Sequence, residues 1–229
     1  MFALSGRFLF CLVVLSATVA SAAPKQSPSS APSLTGSFLL GYSGGTGGHV
    51  SVTISNLAKD FPFALRFGLG YVTLDPGNPA EARINFINDA TNGTPEESGD
   101  RYDYRLDFMY PTHWFGLKRA FALGGVRHSR FTGTFNFVGG NEKFDVTTNQ
   151  WGLGFGIETY FAMSRRVDLI LAGGVDHYFE STLFGHDTSY SPDGESVNGR
   201  DGYDYDTADD SINQPKTGVR VMMGIAYAF

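Results

Sequence analysis

Apolar and polar residues alternate with a two-residue period along much of this chain, most clearly at its C-terminal end. From Val219 to Phe229 every odd position is apolar or aromatic, whereas the even positions are small or polar apart from Met222. Successive side chains of a β-strand point to opposite faces, so this period predicts a strand with one apolar face. A strand that crosses lipid has such a face, and an aromatic residue suits its end at the membrane interface.

Seven earlier segments show the same period, and we therefore predict eight strands. In the fifth, Arg127 and Ser129 interrupt the apolar face that Phe121, Phe131 and Phe137 share, so its upper part is expected to rise above the membrane. An even number of strands places both termini on the periplasmic side. The predicted strands run through residues 34–42, 50–54, 61–71, 102–110, 120–138, 151–161, 167–179 and 219–229.

The connections between the strands alternate in character. Those at 56–60, 111–119 and 162–166 are short and partly basic, and are predicted to be periplasmic turns. Residues 75–100 contain six acidic residues and one basic residue, and residues 184–214 contain eight and one. Most of the negative charge is therefore expected outside the cell. The predicted external loops are 43–48, 75–100, 139–149 and 184–214.

The N-terminal segment predicts export. Residues 1–22 combine Arg7, an apolar run from Phe8 to Leu15 and small residues at 20–22, a pattern typical of a secretory signal peptide. Residues 23–33 are rich in proline and serine and are predicted to be a disordered linker, with the barrel at 34–229. The single cysteine, Cys11, lies in the signal, so the mature chain is expected to have no disulfide.

Composition narrows the class further. The 29 glycines, 14% aromatic residues and only 17% charged residues suit a membrane barrel with long loops. No run after the signal approaches the roughly 18 apolar residues of a membrane helix. The formal charge is −6, and −7 without Arg7, which argues against nucleic acid as a partner. The predicted fold class is all-β: an eight-stranded antiparallel transmembrane up-and-down β-barrel.

The same alternation could also close a soluble, lipocalin-like barrel with its polar face outward. The polar face, however, mixes charged residues with glycines such as Gly68, Gly154 and Gly224, which suit a narrow lumen, whereas bulky Phe, Leu and Tyr suit a lipid-facing band. Charges in a narrow lumen must pair to offset their desolvation, so we predict a lumen charge network. Its predicted members are Arg66, Arg105, Asp107, Glu158, Asp168, Asp176, Glu180 and Arg220.

The signal, the alternation and the ending Tyr227-Ala228-Phe229 resemble the small eight-stranded outer-membrane β-barrels of the OmpA, OmpX and OmpW kind, over residues 34–229. The resemblance implies a place in the bacterial outer membrane, with outer-membrane lipid and lipopolysaccharide as neighbours. It also implies insertion by the barrel-assembly machinery, for which Tyr227 and Phe229 form the recognition signal. These features describe insertion and location and leave activity open.

Further aromatic residues are expected at the two membrane–water interfaces, where they need no ligand to explain them. Phe121 is also placed at the periplasmic interface. The outer set is Tyr42, Tyr71, Tyr102 and Trp151, and the periplasmic set is Tyr110, Trp114 and Phe161.

No catalytic residue, metal site or cofactor is predicted. His128 and Ser129 are adjacent, so they point to opposite faces of a strand and form no nucleophile–base pair. A site assembled from two strands, such as His128 with Asp176, stays open. The acidic run 201–210 offers oxygen ligands without the spacing of an EF-hand loop, which leaves divalent cations between this loop and lipopolysaccharide phosphates as a hypothesis.

The pattern favours a non-enzymatic protein with a structural or surface-interaction role, which displays long acidic loops over a salt-bridged lumen. The alternative is a narrow pore for small solutes, gated by Arg66, Arg105, Arg220 and the facing carboxylates. Side chains nearly fill an eight-stranded barrel, so open diffusion is not expected. A lipid-modifying enzyme is the hypothesis that the sequence supports least.

Overall fold

The computed structural model describes residues 31–113, 116–117 and 119–229, and its main feature is a closed antiparallel β-barrel. The predicted signal peptide and most of the predicted linker lie outside the described residues. The wall is formed by β1 (Ser33–Ser43), β2 (Thr46–Ser55), β3 (Ala64–Leu74), β4 (Thr94–Thr112), β5 (Ala120–Val138), β6 (Glu142–Ala162), β7 (Val167–Tyr178) and β10 (Thr217–Ala228). Outside the wall lie α1 (Pro79–Phe86), β8 (Leu183–Gly185), β9 (Thr188–Tyr190) and α2 (Tyr205–Ser211).

Each wall strand pairs antiparallel with the wall strand that follows it in the chain, from β1 to β7 and then β10. The ring closes where β10 pairs with β1, with Phe38 opposite Ile225 and Thr35 opposite Ala228. This is the up-and-down order that the sequence predicts, and the predicted fold class is confirmed. Neither helix among the described residues is long and apolar enough to cross a membrane.

The outward face of the wall is an apolar belt. Phe155 on β6 is 64% exposed and Val221 on β10 is 60% exposed, and the outward residues of the other strands are exposed Phe, Leu, Tyr and Val. An apolar surface that surrounds the whole molecule is unfavourable in water and favourable in lipid. The belt therefore marks the part of the barrel that lies in the membrane.

Three adjacent strands rise above this belt on the external side. β4, β5 and β6 have 19, 19 and 21 residues, whereas the other wall strands have 10 to 12. On this extension the polarity of the two faces inverts: Thr132, Thr134 and Asn136 of β5 point outward, while Phe131 and Phe135 point inward and are fully buried. The extension is thus a water-facing sheet with its own apolar inner side.

The inversion corrects the prediction for the fifth strand. Its odd-numbered residues, from Phe121 to Phe137, share the inner face with Arg127 and Ser129 rather than facing lipid. Phe121 is not an interface residue, because its ring packs 5.4 Å from the ring of Tyr160 inside the barrel. The apolar residues of β5 are buried against other protein groups, and a two-residue period alone does not distinguish that from burial in lipid.

Residues 75–93 and 179–216 fold over the external mouth as a compact cap. α1 begins at Pro79, and the Asn78 side chain accepts hydrogen bonds from the backbone N–H groups of Ala80 and Glu81. The cap packs against the extension through one hydrophobic cluster. Its buried members are Ala82, Phe86, Phe131, Phe135, Phe137, Phe144, Val146, Leu183, Tyr190, Tyr205, Ala208 and Ile212.

The external segments are therefore more ordered than predicted. The predicted loop 139–149 is a turn at 139–141 followed by the start of β6. The predicted loop 75–100 contains α1 and the first residues of β4, and the loop 184–214 contains β9 and α2. The third strand begins at Ala64, later than predicted, so Phe61 and Phe63 lie before β3 and not in it.

Candidate functional site

The lumen holds large charged side chains because glycines of the wall leave space beside them. A Cβ atom at Gly154 of β6 would collide with the Asp176 carboxylate and the Arg127 guanidinium, and one at Gly125 of β5 would meet the Asp107 carboxylate. A larger residue at either position would displace a buried charge. The lack of a side chain at these two glycines therefore makes room for the buried charged groups.

The layer of charge nearest the periplasm centres on Arg66 of β3. Its Nη1 lies 2.6 Å from Oε1 of Glu158 on β6, with both side chains at most 3% exposed. Its Nη2 donates to the Tyr160 hydroxyl at 2.6 Å, and its Nε donates to Thr53 Oγ1 at 3.0 Å. Tyr160 in turn donates to Glu158 Oε2 at 3.1 Å. Arg66 and Glu158 thus pair with each other across the lumen, and their two charges cancel.

The middle layer centres on Asp176 of β7, which meets three arginines. Arg127 Nε lies 2.9 Å from Asp176 Oδ1, while Arg105 Nη2 and Arg220 Nε lie 3.0 Å and 3.3 Å from Oδ2. Arg127 also reaches Asp107 Oδ1 at 2.7 Å. We refer to these five residues, Arg105, Asp107, Arg127, Asp176 and Arg220, as the mid-lumen cluster.

The outermost layer centres on Asp103 of β4. Arg101 Nη2 lies 2.9 Å from Asp103 Oδ2, and the Tyr178 hydroxyl donates to Oδ1 at 2.9 Å. Arg101 Nη2 also donates to the backbone carbonyl of Ser43 at 2.7 Å, which ties this layer to the end of β1. Arg105 Nη2 bridges to Asp103 at 3.4 Å, so the middle and outer layers form one network.

The structure brings most of the predicted network residues together but not all of them. Asp168 lies at the periplasmic rim, where it pairs with Arg119 at 2.5 Å, and the Arg119 side chain is 49% exposed. Glu180 is exposed beyond the end of β7, so the prediction that it faces the lumen is wrong. The predicted residues found in the lumen pairs are Arg66, Arg105, Asp107, Glu158, Asp176 and Arg220.

Three charged members of the network are absent from the prediction. Arg101 and Asp103 lie on the lumen face of β4 by simple alternation, so their place in the network was predictable from the sequence. Arg127 is predicted only as an interruption of the apolar face that the aromatic residues of β5 share, and that whole face points into the lumen. Tyr160 and Tyr178 also take part through their hydroxyl groups, for which alternation gave a position but no role.

Apolar side chains pack in the lumen toward the periplasm, beside a cavity of about 460 Å³ whose lining includes Glu158, Ala172 and Met222. Leu39, Ile170 and Met222 are buried in one cluster, and Met109 and Leu123 in another beside the Arg66 layer. At the external end the cap covers the mouth. A cavity of about 270 Å³ nevertheless reaches from the cap edge to Arg101, Asp176 and Tyr178. At its rim Lys216 lies 2.7 Å from Asp209.

The predicted interface aromatics point outward from the wall. At the external side, the rings of Tyr71 and Tyr102 lie 5.1 Å apart, and Tyr42 and Trp151 are exposed. At the periplasmic side, Tyr110 and Phe161 are exposed, whereas Trp114 lies outside the described residues. Both residues of the predicted insertion signal are exposed too, and the rings of Tyr227 and Phe229 meet edge to face at 5.2 Å.

The cross-strand pair left open by the sequence is not formed. His128 lies on the outward face of β5, with its ring 4.8 Å from Trp151 and 5.9 Å from Tyr104, whereas Asp176 faces the lumen. Among the described residues, no three His, Cys, Asp or Glu side chains come together as metal ligands. At the cap, Asp204 accepts hydrogen bonds from the hydroxyl and backbone N–H of Thr207, which hold the pKa of that carboxyl below its ordinary value.

No protein-family model matches the sequence, and no curated protein is significantly similar to it in sequence. Among solved structures, a major outer membrane protein from Thermus thermophilus matches with a TM-score of 0.70 and 22% identity, over 87% of this chain and 100% of that chain. Neisserial surface protein A matches with a TM-score of 0.39 and 11% identity, over 86% and 96%. Acinetobacter baumannii CarO matches with 0.39 and 11%, over 88% and 100%.

The likeness to the Thermus protein shows a common fold, and this chain adds its own physical marks to that fold. Its wall is closed, its outward belt is apolar, and its buried charges point into the lumen. A closed barrel with these two faces satisfies every backbone group of the spanning strands within lipid. The chain therefore has the fold of an eight-stranded transmembrane β-barrel, as the Thermus outer membrane protein does.

Proposed function

We propose that this protein is a closed, non-enzymatic barrel that anchors an acidic cap at the cell surface for structural or interactive purposes. The observation that carries the proposal is that packed and paired side chains cross the lumen. Two apolar clusters, a cross-lumen ion pair and a continuous charge network occupy the lumen, and the cap packs over its mouth. Such an interior supports an anchor better than a channel.

The outer surface of the cap supports the interactive part of the proposal. Its carboxylates point to solvent, and only a few basic groups accompany them. Divalent cations held between these carboxylates and lipopolysaccharide phosphates would attach the cap to the membrane surface, because hard cations take oxygen ligands from both. The exposed acidic residues of the cap are Asp75, Glu81, Asp89, Glu180, Asp187, Asp193, Glu195, Asp201, Asp204, Asp206 and Asp210.

Limited proteolysis of the full-length protein, refolded into vesicles with or without lipopolysaccharide, tests this attachment. We expect Mg²⁺ to slow cleavage of the cap only when lipopolysaccharide is present. Replacing Asp201, Asp206 and Asp210 by asparagine should remove that protection. A matched control replaces Glu96 and Glu97, which are exposed on the extension instead, by glutamine. Equal protection of both variants would contradict the cation bridge at the cap.

A narrow gated pore is the second candidate, and one observation favours it. The 270 Å³ cavity leads from the external surface to the charge network, so a rearrangement of Arg101 and Asp176 could lengthen it into a path. Single-channel recording of the refolded protein in planar bilayers separates the candidates. The anchor proposal predicts no channel openings at any voltage or salt concentration. Discrete openings that change in an Arg220→Gln variant would favour the pore.

A lipid-modifying enzyme is the candidate with the least support. The His128 and Asp176 side chains lie on opposite faces of the wall. Mass spectrometry of lipid A from cells with and without the expressed protein tests this activity directly. We expect identical lipid A, and a mass change that depends on expression would overturn the proposal that the protein is not an enzyme.

A further inference from the structure

The charges of the lumen do not balance. Among the described residues, five buried arginines face the lumen and four buried carboxylates accompany them, with the rim pair of Arg119 and Asp168 apart. Arginine stays protonated at any physiological pH, so the interior carries one uncompensated positive charge. The five are Arg66, Arg101, Arg105, Arg127 and Arg220, and the four are Asp103, Asp107, Glu158 and Asp176.

The excess charge lies in the mid-lumen cluster. Arg66 is matched by Glu158, and Arg101 is matched by Asp103. Arg105, Arg127 and Arg220 then share the two remaining carboxylates, Asp107 and Asp176, and all three contact Asp176 within 3.3 Å. Three guanidinium groups gathered around one carboxylate repel one another unless a further negative charge joins them.

Buried hydrogen-bond donors in the same cluster lack acceptors. Nε and Nη1 of Arg105, Nη2 of Arg127 and Nε of Arg220 are all buried without a hydrogen bond. Arg220 Nε lies near Asp176 but is not aligned to donate to it. Each buried donor without an acceptor costs about 1–3 kcal/mol. Arg220, which is 4% exposed, therefore has an ion pair but no satisfied donor at that nitrogen.

We propose that the mid-lumen cluster binds a small monovalent inorganic anion of the halide class, held by the unpartnered N–H groups of Arg105, Arg127 and Arg220. Water would supply acceptors but would leave the charge uncompensated, whereas an anion does both. We assign a monatomic anion because three guanidinium groups within 3.3 Å of Asp176 leave little room for a larger one. The external cavity, which reaches Asp176, is its route from the medium.

Thermal unfolding of the full-length protein in detergent micelles measures this binding. The buffer contains gluconate as the only anion, and chloride replaces it stepwise at constant ionic strength. Chloride at about five times its Kd should raise the Tm by roughly 2–4 °C, because a ligand bound to the folded state alone stabilises that state. The response should saturate, unlike a general effect of salt.

Arg220→Gln is the decisive variant, because it brings the lumen to four arginines and four carboxylates while Asp176 keeps Arg105 and Arg127. Its Tm should no longer respond to chloride. Arg119→Gln is the matched control, since it removes a guanidinium at the rim, outside the cluster, and should respond like the wild type. An absent response in the wild type, or an equal response in both variants, overturns the proposal.

Crystals of the wild type grown in bromide give a second measurement that does not depend on a variant folding. Anomalous scattering should show a bromide peak within hydrogen-bond distance of at least two of Arg105, Arg127 and Arg220. A lumen without a peak, or peaks only at the protein surface, would show that the cluster holds no halide and would refute the site.

Discussion

The buried arginines Arg66 and Arg220 each contact a single carboxylate, yet their surroundings differ. Arg66 is the sole ionic partner of Glu158 among the described residues, and it also holds Tyr160 and Thr53. Arg220 is one of three arginines at Asp176 and donates no hydrogen bond from Nε. Removing one partner of a buried pair is costly mainly because the other charge is left alone. The two residues should therefore respond differently to truncation.

Replacing Arg66 with alanine should lower the free energy of unfolding by about 3–5 kcal/mol, because Glu158 would be left as an unpaired buried charge. Arg220→Ala should cost clearly less, since Asp176 keeps Arg105 and Arg127 and the lumen loses its excess charge. Equilibrium unfolding in urea of protein refolded into lipid vesicles measures both values. An Arg220→Ala loss as large as that of Arg66→Ala would mean that the mid-lumen charges are organised differently.

At the scale of elements, β5 shows how one strand serves two environments. Its outward residues change from Val126 in the belt to Thr132 and Asn136 above it, while its inward residues change from Arg127 to Phe131 and Phe135. The change occurs where the surroundings switch from lipid outside to water outside. Above that level the cap supplies the apolar partner for the inner face, as the hydrophobic cluster shows.

Phe135→Ala should loosen the cap without opening the barrel. Phe135 is fully buried, and its ring stacks on Phe144 at 5.3 Å, so the truncation should cost the cap about 3–5 kcal/mol. Trypsin should then cleave after Arg200 in the cap much faster, while the heat-modifiable migration of the folded barrel persists. Asn136→Ala, on the outward face of the same strand, is the control and should cleave at the wild-type rate. Loss of the folded barrel would show that cap and wall are one cooperative unit.

At the scale of the whole molecule, the barrel closes only when its first and last wall strands meet. β1 and β10 pair over nine positions, from Thr35 opposite Ala228 to Ser43 opposite Arg220. The backbone N–H of Phe229 adds a hydrogen bond of 3.1 Å to the Leu34 carbonyl beyond the strand. This pairing joins the most distant strands in the sequence, so its closure carries the largest loop entropy. The last residues thus act in closure as well as at the interface.

Deleting Phe229, or replacing it with serine, should reduce the amount of folded barrel in the outer membrane, because the insertion signal and the packing against Tyr227 are both lost. The measurement is heat-modifiable mobility of the protein in outer-membrane fractions. Val219→Ser is a control at the other end of the same outward face, where a polar residue near the external end should be tolerated. Wild-type levels of folded Phe229→Ser would contradict the role of this residue in insertion.

The number of wall strands, their order and the outward phase of most of them followed from the sequence alone. The two-residue period of β10, or of Tyr102 to Tyr110 in β4, is a local property, and each strand of an up-and-down barrel neighbours the next one in the chain. A residue that faces lipid must be apolar whatever its distant partners are. Within the membrane, the local pattern of apolar residues is therefore enough to predict which face of a strand meets lipid.

Only the tertiary structure decided which charges meet and where the apolar face of a strand points outside lipid. Arg66 contacts Glu158 across the lumen although the two residues are 92 positions apart in sequence. No local spacing specifies that contact. Phe131 and Phe135 face inward because the cap, formed by two segments remote from β5, covers them, whereas the same period within the belt faces lipid. Alternation shows which residues share a face of a strand. Whether that face meets lipid, water or protein depends on the groups that cover it.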